Sequence, residues 1–103
     1  MAVVATEFGR TAAPNGTGGT DHGTASVAML LGGAVAGGRV IADWPGLGQS
    51  ALHEGRDLKP TADLDLLIAS AVAAHYRLDP ARTGRALFPN IDNGGRFDDL
   101  IRA

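Results

Sequence analysis

Cysteine is absent from the 103-residue chain, which removes disulfides, thiolate metal ligands and cysteine nucleophiles together and leaves the redox compartment open. Charge is sparse as well. Charged residues make up 19%, the net charge is -2, and no run of like charge is longer than Asp98-Asp99. A nucleic-acid stripe and a polybasic membrane segment are therefore not expected. The longest apolar stretch, residues 27–38, is closed by Ser26 and Arg39 and falls short of the ~20 residues a membrane helix needs. Residues 1–5 have no basic n-region and only a stub of apolar sequence, so they are not expected to be a signal peptide.

Glycine is what the chain has in excess. It stands at 15 of 103, roughly double the usual share of about 7%, and its clustering in the front half marks that half as rich in turns. The length fits one domain with a core. Apolar runs at residues 2–5, 26–31 and 39–42 read as three short buried strands. Trp44, beside the Pro45-Gly46 turn, is the largest apolar surface and is expected to anchor that turn on the body. Thr61 suits an N-cap, with Asp63 and Asp65 in the first turn. Leu64, Leu67, Ile68, Ala71, Val72 and His75 then follow helical spacing, which predicts one long helix over residues 61–75. It should stop near Leu78, because Asp79-Pro80 disfavours continuation. The fold class is α/β, and residues 91–103 read as a polar tail beyond a domain of residues 1–90.

The chemistry concentrates in residues 6–23, a polar, glycine-rich loop between two apolar runs that holds Glu7, Arg10, Asp21 and His22. Loops fixed in that way usually carry function. Two carboxylates, a guanidinium and an imidazole suit a divalent metal beside an anionic group. Asp21-His22 followed by Gly23 forms a reasonable half-site for zinc, manganese or iron. An aspartate that only orients His22 would have the same sequence, and Glu7 has the bland alternative of capping the loop or pairing with Arg10. His53, beside Glu54, reads as a solvated surface residue, and His75 as a core or boundary histidine. Asn15-Gly16-Thr17 matches a glycosylation acceptor, a triplet that chance often supplies. No Gly-Lys-Ser/Thr phosphate loop and no nucleophile elbow is present.

Taken together, Val3-Val-Ala-Thr-Glu-Phe-Gly-Arg-Thr11, Asn15-Gly-Thr-Gly-Gly-Thr-Asp-His-Gly23, Leu31-Gly-Gly33, Gly37-Gly-Arg-Val40, Asp43-Trp-Pro-Gly-Leu47 and Leu58-Lys-Pro-Thr-Ala-Asp63 form an ordered series. It resembles the C-terminal part of the bacterial family called domain of unknown function fifteen-oh-one, a sulfatase-like branch of the alkaline-phosphatase-like superfamily. The resemblance implies a C-terminal fragment of a helix-covered sheet sandwich, made of about three short strands, a long metal-site loop and one long helix. It implies Glu7, Asp21 and His22 as ligands of zinc, manganese or calcium, and Arg10 as a substrate contact. Members of the family are commonly exported.

The resemblance also has gaps. Phe8, directly after Glu7, cannot ligate, and neither the superfamily's nucleophile nor its first metal-binding Asp has a counterpart here. The expected function is the C-terminal segment of a metal-dependent phospho- or sulfo-ester hydrolase, inactive alone and completed by a missing N-terminal half. The alternative is a non-catalytic metal- or partner-binding module that self-associates through its N-terminal strand.

Overall fold

The computed structural model describes residues 1–91 and 96–102. Among them the order is β1 (Ala2–Val4), β2 (Gly9–Arg10), β3 (His22–Gly23), β4 (Met29–Leu31), a 3-10 turn (Gln49–Ala51), α1 (Leu64–Tyr76) and α2 (Pro80–Leu87). The chain is a small mixed α/β protein in which β1 pairs with β4 and β2 with β3, as two separate two-stranded sheets. It divides into two compact units. One comprises Met1–Val3, Leu30–Arg39 and Asp63–Ala103, the other Val4–Met29 and Val40–Ala62.

In the first unit, aspartates decide where the helices begin. The Asp63 carboxylate accepts from the Asp65 N–H at 3.0 Å, which makes Asp63 the N-cap of α1 in place of the expected Thr61. Aspartate caps at least as well as threonine, and here it stands two residues nearer the apolar run. At the other end Arg77 turns left-handed, with φ 55°, and donates to Ala73 O. Asp79-Pro80 then starts a second helix as well as stopping the first. Asp79 accepts from the Arg82 N–H at 2.9 Å, and Pro80 occupies the first turn, where its missing N–H costs nothing. The expectation of one helix is corrected to two.

The two helices meet through small residues. Ala69, Ser70, Ala71 and Ala73 are buried on α1, and Thr83 and Gly84 on α2. A Cβ at Gly84 would lie 3.5 Å from the Ile91 side chain and 3.9 Å from Ala69 Cβ, ordinary contact distances that an alanine would also satisfy. Of the stripe expected to face the core, only Ala71 is fully buried, and Leu64 is exposed. The segment is apolar on nearly every side, so periodicity cannot say which side meets a neighbour. Residues 96–102, read from sequence as polar tail, return to this unit. Val35 bridges Ile101, Ala36 N–H donates to Leu100 O at 2.8 Å and Arg102 N–H to Ala34 O at 2.7 Å, and Leu100 is buried. The tail's remaining residues, 92–95 and 103, lie outside the described residues.

The strands expected to be buried are not. β1 is exposed along its whole length and β4 at Met29 and Leu31, because their sheet has only two strands and two strands alone bury little. Residues 39–42 form no strand, and Val40 is 90% exposed. An apolar, β-branched run supplies the propensity for a strand but not the partner it must pair with. Trp44 is 63% exposed, so it does not anchor its turn.

Candidate functional site

The β2–β3 pair is antiparallel and sets Gly9 opposite Gly23 and Arg10 opposite His22. Both glycines are required by space. A Cβ at Gly9 would fall 1.8 Å from the Ala25 carbonyl oxygen, and one at Gly23 would fall 2.6 Å from Asp57 Oδ1 and 2.9 Å from the Arg10 carbonyl carbon. This tight, side-chain-free step lies next to the register position that carries Arg10 and His22.

The loop of residues 11–21 is organised by Thr11 and Asn15. Buried Thr11 donates its N–H to Asp21 O at 3.0 Å, accepts from the Asp21 N–H at 3.1 Å and donates its hydroxyl to Ala13 O. Asn15 Oδ1 accepts from the Thr17 N–H, the Thr17 hydroxyl and the Gly19 N–H. Its amide nitrogen donates to Asp21 Oδ1 at 3.1 Å. Such self-bonding by asparagine is the usual way a short polar loop holds one shape.

The exposed face of the hairpin is equally ordered. The Phe8 ring stacks on His22 with centroids 3.6 Å apart and planes 18° from parallel, while the Arg10 guanidinium carbon stands 5.7 Å from the Phe8 centroid. Arg10 also donates to Thr20 O at 2.9 Å. The ring residue that cannot ligate thus holds the one that can. The structure brings Arg10, Asp21 and His22 together on one hairpin and leaves all three exposed, with Glu7 exposed just before Phe8. Among the described residues, no three histidine, aspartate or glutamate side chains converge closely enough to hold a metal ion.

Asp57 is the residue that sequence reasoning does not find. It is 5% exposed, it bridges His53, and its Oδ2 accepts the Thr24 N–H. Its Oδ1 is buried without a hydrogen-bond partner. The Thr24 N–H holds the carboxyl below its ordinary value, against the opposing effect of burial. The carbonyl of the preceding Arg56 accepts from both Ala12 N–H, at 2.9 Å, and Ala13 N–H, at 3.0 Å. Glu54 and Gly55 both stand at positive φ, a tight turn that sets Asp57 opposite His53. Nothing in the sequence marks Asp57 as buried.

His53 and His75 are not strand residues of the hairpin. His53 is exposed and 3.8 Å from the Glu54 carboxylate, and His75 is half-buried at the end of α1, edge-on to Tyr76. A cleft of about 400 Å³ is lined by Pro45, Ser50, Ala51, Leu52, His53, Glu54 and Lys59, none of which belongs to the hairpin. No described helix is long and apolar enough to cross a membrane.

Comparison with known proteins gives one match. The model of a family described as Protein of unknown function (DUF1501) matches residues 1–88. No curated protein and no solved structure matches the chain.

Proposed function

As the chain belongs to the family described as Protein of unknown function (DUF1501), we propose that its β2–β3 hairpin is the ligand-bearing part of a metal-dependent phospho- or sulfo-ester hydrolase of the sulfatase-like, alkaline-phosphatase-like kind. Glu7, Asp21 and His22 would hold a divalent ion, zinc, manganese or calcium, and Arg10 would contact the anionic group of the ester. The observation that carries this reading is the pairing of Arg10 with His22 across the hairpin, with Asp21 alongside. A cation for the substrate's charge then sits next to the metal-ligating types. Two carboxylates and an imidazole suit zinc or manganese by donor type, but the three do not converge in this structure, so on this reading they would have to close on the ion and be joined by further ligands. A metal held there would act as a Lewis acid toward the ester.

The chain's own groups divide the rest of the work. Asn15 Nδ2 takes one lone pair of Asp21 Oδ1 and so fixes the carboxylate. Phe8 fixes the imidazole plane, and Thr20 O steers the guanidinium. The Thr11 and Thr17 hydroxyls are spent on the loop's own bonds, to Ala13 O and Asn15, and on this reading the nucleophile would come from another polypeptide segment. The sandwich-like α/β sheet of that superfamily would be completed by the same segment against the exposed apolar strands β1 and β4. A second reading, a non-catalytic metal- or partner-binding module that self-associates through residues 1–5, is favoured by the full exposure of β1, since an unpaired apolar edge invites pairing.

Calorimetry with zinc on the chain and on His22→Ala tests the first reading, beside assays with aryl phosphate and aryl sulfate. Weak binding that disappears in His22→Ala, without turnover by the chain alone, is the expected result. Equal heats from the two proteins remove His22 from the site. Metal-dependent turnover by a monomer identifies a complete enzyme instead.

A further inference from the structure

We infer that Asp57 is a positioning residue for the hairpin, holding Arg10 and His22 in register from a separate turn of the chain. Two consecutive residues close both ends of the β2–β3 pair. Arg56 O accepts the N–H groups of Ala12 and Ala13, just past β2, and Asp57 Oδ2 accepts the N–H of Thr24, just past β3. The pair itself is only two residues long on each side, too short to hold its register by its own ladder. What holds it is the turn over residues 53–57, closed by His53 N–H to Asp57 O at 2.7 Å and Asp57 N–H to His53 O at 3.1 Å.

The second oxygen of Asp57 makes the arrangement specific. Oδ1 is buried and unpartnered, a costly state for a carboxylate, and it lies 2.6 Å from the point that a Cβ on residue 23 would occupy. The carboxylate fills the space beneath Gly23 and sets how far β3 can approach the turn, which fixes the place of His22 one residue earlier. The ligand-bearing histidine is thereby supported as metal ligands usually are, by a carboxylate behind them, here through the backbone.

This inference rests on the hairpin being a ligand-bearing site, and its test separates the two ideas. Amide hydrogen exchange is measured by NMR on the full chain and on Asp57→Ala, Asp57→Asn and Gly23→Ala, with zinc titrations of each. In Asp57→Ala, the Thr11, Ala12 and Asp21 amides are expected to exchange at least about tenfold faster, and the Phe8 ring is expected to unstack from His22. The Leu78 and Phe88 amides, which donate within the helical unit, should be unchanged. Asp57→Asn, which keeps an acceptor for Thr24, should restore protection, and Gly23→Ala should reproduce the loosening if Asp57→Ala fails to fold.

Zinc affinity should fall in Asp57→Ala by about ten-fold or more, the scale of losses behind metal ligands. Unchanged hairpin amides overturn the inference. So does acceleration at Leu78 and Phe88 equal to that at Thr11, which would mark a general loss of stability, and so does failure of asparagine to rescue. Local loosening in a chain whose wild type gives no zinc heat upholds the positioning role and removes the metal reading.

Discussion

The Phe8 ring lies flat on the His22 imidazole, 3.6 Å from centroid to centroid, although the two residues are fourteen positions apart in sequence. The stack exists because Arg10 and His22 are register partners, which brings the residue two before Arg10 beneath the imidazole. A stacked aromatic pair adds about 0.5–1.5 kcal/mol beyond its burial. Phe8→Ala should therefore lower stability by about 1 kcal/mol in urea unfolding. In NMR spectra the ring-current shift on the His22 protons should vanish while the helical unit keeps its shifts.

Gly9 tolerates no side chain. A Cβ there meets a backbone oxygen at 1.8 Å, and backbone cannot swing aside as the end of a lysine can. Overpacking typically costs about 1–3 kcal/mol, and Gly9→Ala is expected at the upper end, about 3 kcal/mol in the same measurement. Gly16→Ala, where the added Cβ meets nothing within 4 Å, is the matched control and should leave stability almost unchanged.

Acid should loosen the hairpin unit through Asp57. Its carboxyl is held below the ordinary value of 3.8, first by the Thr24 N–H, with burial working against it and the Thr24 hydroxyl and the His53 charge assisting. A group whose folded pKa is depressed contributes its stability in full above the unfolded value, and loses it as pH falls through the folded one. Hairpin protection should thus be flat above about pH 4 and decline below it. In Asp57→Asn this acid-dependent decline should disappear. Hydrogen exchange at Thr11 and Asp21 across an acid series measures it.

What the sequence makes legible is chemistry more than packing. Arg10, Asp21 and His22 do share one hairpin, which corrects the expectation of an irregular loop: the residues flanking Asn15-Gly16 do not alternate, and strands of two residues are too short to show a period. α1 is legible in its existence, since Leu64–Tyr76 is a long run without breakers, while its buried side is not, because alanine, valine and leucine surround it on all sides. α2 escapes a sequence reading although Asp79 and Pro80 make a strong helix start. The same pair also ends a helix, and after a long apolar run the stop is the louder signal. Asp57 is illegible for a deeper reason: its burial depends on Thr24 and Gly23, more than thirty residues away in sequence. The apolar run at 39–42 shows the converse, a local strand signal that finds no partner among the described strands.

The buried apolar set of the described residues is Val35, Ala69, Ala71, Ala73 and Leu100, with no large side chain fully enclosed. Heat capacity is where this appears. Unfolding a protein usually adds about 12–15 cal/mol/K per residue as hydrocarbon becomes hydrated, and alanine-lined contacts release little hydrocarbon to hydrate. The calorimetric baseline step should be small for a chain of this length, and the curve of stability against temperature should be correspondingly flat. Cooling would then neither strengthen nor weaken this protein much, and its denaturant transition, whose steepness follows the same newly wetted surface, should be broad.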